Sequence, residues 1–130
     1  EVLLNARLYP DMYPLTRQVQ TVCGLAGKTC ARLTGSEVPS TPDTEKSFEE
    51  LQQRIAKTVD YVKSFKPELF DGGDTREVTF PIGPNKMTMN GQQYLISFAF
   101  PNFYFHAATA YGILRHNGVE IGKLDFLGVK

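Results

Sequence analysis

Apolar residues return at steps of three and four along three stretches of the chain, and at steps of two along one. Leu15, Val19, Val22, Ala26, Cys30 and Leu33 form the first stripe, with the period of a single helix face. Arg17, Lys28 and Arg32 lie off it. The spacing predicts a helix over Met12–Leu33, capped by Asp11, with Pro14 in its first turn and Gly35 just past its end. Gly35, Pro39, Ser40, Pro42 and Asp43 mark a loop over 34–46. Ser47 with Glu50 three residues on is a capping box. It opens a second helix whose stripe is Phe48, Leu51, Ile55, Val59 and Val62. Glu50 and Arg54 are read as an exposed i,i+4 pair on that helix, and Pro67 ends it.

After a Gly- and Asp-rich turn the period changes. Val78, Phe80 and Ile82 alternate with Thr79 and Pro81, and Met87 and Met89 alternate with Thr88. With Gly83, Pro84 and Asn85 between them, the two runs read as a small β-hairpin. Pro81 confines its strand to an edge. A third helix is predicted from Asn90, again with a capping pair in Gln93, to about Asn117, with Gly118 beyond its end. Pro101 is expected to kink it. The tail 119–130 carries five large apolar residues that can pack back. Three long helices, the last apolar almost all round, imply a mainly all-α helical bundle in a single domain over 1–130.

Composition narrows the function classes. Fourteen basic and fourteen acidic residues balance. That argues against a nucleic-acid partner and against electrostatic docking on a membrane. No charged residue occurs from Met87 to Leu114, but Ser97, Pro101, Asn102, His106 and Thr109 interrupt the run. A buried bundle helix is therefore expected over a membrane span. Cys23 and Cys30 stand ~10 Å apart along one helix, too far to form a disulfide with each other. Two free thiols and the lack of a basic-then-apolar leader point to a reducing, cytoplasmic location.

Candidate chemistry is sparse. The chain has no glycine-rich phosphate loop, no Cys-x-x-Cys, no nucleophile elbow and no His-Glu-x-x-His. Asn102 and His106 are four apart and stack on one face of the third helix, with Leu95, Phe98, Thr109 and Ile113 in the same wedge. A polar pair in an aromatic helix has to find hydrogen bonds. It is either a structural pair, bonded within itself or to Gln18 across the bundle, or the wall of a ligand pocket, or part of a metal site. Gln18 lies at the edge of the first helix's stripe and is equally readable as facing that pair or facing solvent. Tyr13, Arg17 and Asp11 could line a pocket mouth. His116 lies ~15 Å from His106 along the axis, so the two cannot share a metal. The cysteines have no neighbouring base in sequence and are read as unreactive.

The stretches PDMYPLTRQVQ (10–20), FEELQQRIAKT (48–58) and FPNFYFHAATAYGILRHNGVEIGKLDFLG (100–128) resemble a domain-of-unknown-function family of the DinB-like putative metalloenzymes. The resemblance covers essentially the whole chain. It implies an up-down-down-up four-helix bundle, often a homodimer, with the hairpin before the last helix. Relatives carry a further helix before VLLNARLYPDM (2–12), so the chain, which opens at Glu1, is expected to be N-terminally truncated by that helix. The superfamily typically binds a divalent metal through three histidines, and some members are thiol-dependent transferases or isomerases. The matching positions here are Gln18, Asn102 and His106, of which only His106 is a histidine. Amides are poor ligands for zinc or nickel. The expectation is therefore a small-molecule-binding bundle with a degenerate metal site and no cofactor, its ligand held by Gln18, Asn102 and His106. A metal- or thiol-dependent transferase or isomerase is one alternative, in which a divalent metal would bind through His106. A structural dimerisation module is the other. Whether the protein is an enzyme stays open at this level. A second copy is the expected partner, because two helices cannot cover the third one's apolar surface.

Overall fold

The computed structural model describes residues 1–129. The chain runs through α1 (Leu15–Thr34), α2 (Phe48–Lys63), a 3₁₀ turn (Pro67–Phe70), β1 (Glu77–Ile82) and β2 (Asn85–Asn90). It continues into α3 (Gly91–Gln93), a π-helical segment (Tyr94–Ala99), α4 (Phe100–His116) and α5 (Lys123–Leu127). The predicted class stands: three long helical elements and a hairpin before the last.

α1 begins three residues later than the pattern suggests, and Asp11 does not cap it. Pro14 is extended at the N-cap. The lead-in satisfies the first-turn donors instead: the Leu15 amide donates to the Ala6 carbonyl, and the Thr16 amide and hydroxyl both donate to Leu4. With those groups paired, no side-chain cap is needed. α1 is the central element and packs against both α2 and α4.

α2 starts at the predicted Ser47 cap, whose hydroxyl accepts from the Glu50 amide. Its stripe is not the one expected. Leu51 is buried, but Phe48, Ile55 and Val59 are 42%, 44% and 43% exposed. α2 turns Leu51, Arg54, Thr58 and Tyr61 inward instead, with Leu51 and Arg54 fully buried. Arg54 is therefore not one half of an exposed pair with Glu50; it bonds to Asp43 and Glu45 from the preceding loop.

The hairpin is antiparallel, pairing Val78 with Met89 and Phe80 with Met87. Gly83, at φ 55°, and Pro84 make the two-residue turn, where the first central position needs positive φ. The Asn90 side chain accepts from the Gln93 amide, as the capping pattern predicts. An Asn90→Ala variant should lose about 1 kcal/mol in a urea melt, with the slope of the transition unchanged. Pro101 acts through the π-helical segment that precedes it. Proline has no N–H to donate four residues back to the Ser97 carbonyl, and the segment before it runs in the wider register, the Phe100 amide donating five back to Leu95.

The core lies at the C-terminal end of α1. Val78, Phe80, Tyr94 and Ala99 form its buried centre. Phe80 packs 4.9 Å from Tyr94 and 4.5 Å from Phe98, centroid to centroid. Arg32 reaches in over both Phe80 and Tyr94 and donates to the Tyr94 hydroxyl at 3.0 Å. This packing fixes α4 against α1 at one end. It leaves the other end, ~21 Å away along α1, free to build a cleft. No helix among the described residues is long and apolar enough to cross a membrane.

Candidate functional site

The N-terminal half of α1 carries Gln18, which is 1% exposed. Its amide nitrogen donates to the Tyr13 carbonyl at 3.2 Å, one turn back. That bond fixes the amide orientation, because the reverse would set two carbonyl oxygens against each other. Gln18 Oε1 therefore points across to α4, where His106 Nδ1 lies 2.6 Å away. An amide oxygen only accepts, so His106 carries its proton on Nδ1. Nε2 is left with a lone pair and no hydrogen bond among the described residues. No buried side-chain polar atom among the described residues lacks a partner, so Nε2 reaches solvent.

His106 lines a cleft of about 710 Å³ walled by α1, the 35–47 loop, α2 and α4. His106 and Asn102 are its contribution from α4. Both are half-buried rather than fully enclosed. Tyr13 stacks on the imidazole at 6.1 Å and 15°, and Arg17 lies 4.9 Å over the Tyr13 ring. Partial burial lowers the His106 pKa below its ordinary 6.5, so the ring is neutral at pH 7. Protonation thus favours the unfolded chain, and stability should fall as the pH drops below 6.5 toward the lowered folded value. Long-range ¹H–¹⁵N spectra at pH 7.5 should show His106 as the Nδ1–H tautomer. A Gln18→Leu variant should release it to a tautomer mixture.

The structure brings Gln18 and His106 together, and Asn102 lines the cleft with His106. Gln18, open in sequence between the two orientations, faces inward. Two groups escaped the sequence reading. Cys23 is buried on α1 and lines the same cleft. Burial raises its thiol pKa against the lowering pull of a Thr58 hydrogen bond and the nearby Arg54 charge. It is therefore a thiol, not a thiolate, at neutral pH. Its place beside the cleft was hidden because His106 lies far away in the chain.

The second group is an ion cluster at the far wall. Arg54 Nη1 donates to Asp43 at 2.6 Å and to Glu45 at 2.9 Å, and Gln20 donates to Glu45 at 3.0 Å. Burial alone would raise the Glu45 carboxyl, but the bonds from Arg54 and Gln20 outweigh it and hold the pKa below 4.5. The cluster straps the loop to α1 and α2. Its only trace in the sequence is a pair of acids in a Pro-bounded loop.

The family described as "Domain of unknown function (DUF1993)" matches residues 1–127. The chain belongs to this family. A solved DinB family member protein from Shewanella denitrificans is 44% identical to this DUF1993 chain, with a TM-score of 0.91. The match covers 99% of this chain and 73% of that one. The DUF1993 fold is thus DinB-like. No curated protein matches the chain.

The three-histidine metal site implied by the DinB resemblance does not fit the residues present in this DUF1993 chain. Gln18 has spent its oxygen on His106 and its nitrogen on Tyr13. One imidazole nitrogen and the Asn102 amide remain, short of a tetrahedral set. Among the described residues no three His, Cys, Asp or Glu side chains converge. A hydrogen bond joins two of the positions that would otherwise ligate.

Proposed function

We propose that the chain binds a small molecule in the cleft between α1, α2 and α4, with His106 Nε2 and Asn102 as its polar anchors and Gln18 as the positioning residue. One observation carries this reading. Gln18 fixes the imidazole with Nε2 as an unpaired acceptor, and His106 lines a cleft of about 710 Å³, a volume within the range of ligand pockets. The test is a fragment screen read on the His106 and Asn102 side-chain signals. Fragments that shift both, and that lose binding in Asn102→Leu, support the reading. A screen whose binders leave both signals unmoved sinks it.

A second reading, proton transfer by His106, is favoured by the same tautomer, since a neutral Nε2 lone pair is what a general base requires. Deuterium uptake alpha to the carbonyl of a bound ketone, abolished in His106→Phe, would separate it from binding alone. The free thiols favour a cytoplasmic setting. A second copy is the proposed partner. Ile96, Phe100, Tyr104 and Phe105 are exposed large apolar residues of the α4 region, the kind of surface an interface covers. Light scattering at twice 14.6 kDa is expected, and a clean 14.6 kDa species would remove the dimer.

A further inference from the structure

We infer that the cleft takes a small planar carboxylate carrying an O–H or N–H donor, its acid group read by Arg17 and its donor by His106. This rests on the binding reading above and specifies the ligand's chemistry.

The argument starts from charge. Four cations and three carboxylates line the cleft. Arg54 is consumed by Asp43 and Glu45. Glu50 accepts from the Lys46 amide and sits in the first turn of α2, where the helix dipole already compensates a negative charge. Lys28, Lys57 and Arg17 remain, and no ion pair to any of them occurs among the described residues. The free charge in the cleft is therefore positive.

Geometry singles out Arg17. Its guanidinium lies over the Tyr13 ring, and that ring stacks on His106. Guanidinium, phenol and imidazole form one layered wall. The Arg17 guanidinium makes no ion pair and donates no hydrogen bond among the described residues, so its N–H groups are free to match a carboxylate in two parallel hydrogen bonds. Further along the wall, His106 Nε2 can only accept, so the ligand must donate there. One wall thus asks for an anion at one point and a hydrogen-bond donor at another. A flat ligand satisfies both while lying along the rings.

Three probes test this: 4-hydroxybenzoate, 4-hydroxybenzamide and benzoate, titrated against the whole chain by ¹H–¹⁵N shifts. The acid should bind about tenfold more tightly than the amide, the usual gain of a charge-assisted contact at a partly solvated site. Arg17→Gln should bring that ratio down toward one, the acid losing more affinity than the amide. Arg17 is exposed, so the variant is expected to fold. His106→Phe keeps the stacked ring and should erase the preference for 4-hydroxybenzoate over benzoate. If amide and acid bind the cleft equally, or Arg17→Gln leaves their ratio intact, the carboxylate inference is overturned while cleft binding survives. If none of the three moves a cleft signal, both fall.

Discussion

Gly91→Ala should destabilise the fold by about 3 kcal/mol, the upper end of what overpacking costs. Gly91 is buried where the hairpin passes into α3. A Cβ there would lie far inside van der Waals contact with the Gly73 carbonyl oxygen, 2.8 Å from its carbon and 3.2 Å from Leu33 Cδ2. Two of those atoms are backbone, so no rotamer change relieves the clash. The turn holding Gly73 is itself tied down, by the Gly73 amide on Phe70 and by the Gln92 amide on the Asp74 carbonyl. The strain would separate α3 from the C-terminal end of α1, next to the aromatic core. Gly24→Ala is the matched control. Nothing lies within 4 Å of its Cβ, and mid-helix alanine should add about 0.5–1 kcal/mol of stability. Urea midpoints for the two variants should move in opposite directions. A Gly91→Ala protein as stable as the parent would show that the turn can retreat freely.

These two glycines mark the limit of reading the chain alone. Gly24 and Gly91 look alike as letters, since what distinguishes them is a carbonyl eighteen residues from Gly91 in the chain. Local signals did survive into three dimensions. The Ser47 and Asn90 caps, the hairpin and the shared face of Asn102 and His106 depend on near neighbours in the chain, although Asn85, read as part of the turn, pairs with Ile82. The α2 stripe failed for the converse reason. Periodicity shows that Phe48, Ile55 and Val59 share a face, but not that α1 meets Leu51, Arg54, Thr58 and Tyr61 instead. Arg54 was assigned to Glu50 because the i,i+4 rule sees only the helix. Its partners come from a loop whose path no periodicity encodes. Gln18 falls between the two cases: its position on α1 made an inward face reachable. The Tyr13 carbonyl that orients its amide, and thereby sets the His106 tautomer, required the extended lead-in that Pro14 imposes.

Arg54→Met should cost about 3 kcal/mol at pH 7, as removal of one member of a buried ion cluster does. The arginine is 7% exposed and Glu45 12%, whereas Asp43 is 38% exposed. The loss therefore falls mainly on Glu45, whose carboxylate keeps the Gln20 amide but loses its one charged partner; Asp43 can turn to water. The pH dependence separates charge from packing. In the parent protein the Glu45 pKa is held below 4.5. Its contribution is fully present above that value and drains away as the pH falls through the lowered folded pKa. In the variant the Arg54 bond and charge that lowered the pKa are gone, so burial pushes the carboxyl up from its parent value and its charged form contributes less to the fold. The gap between parent and variant should be widest at pH 7 and shrink steadily toward pH 3.5, which urea melts at a series of pH values would record. A constant gap would mean that Arg54 matters only for the packing of its aliphatic stem. The same substitution releases the strap from the far wall of the cleft, so backbone signals of residues 39–45 should broaden or shift. The Gln18–His106 bond, anchored on α1 and α4, should keep its tautomer.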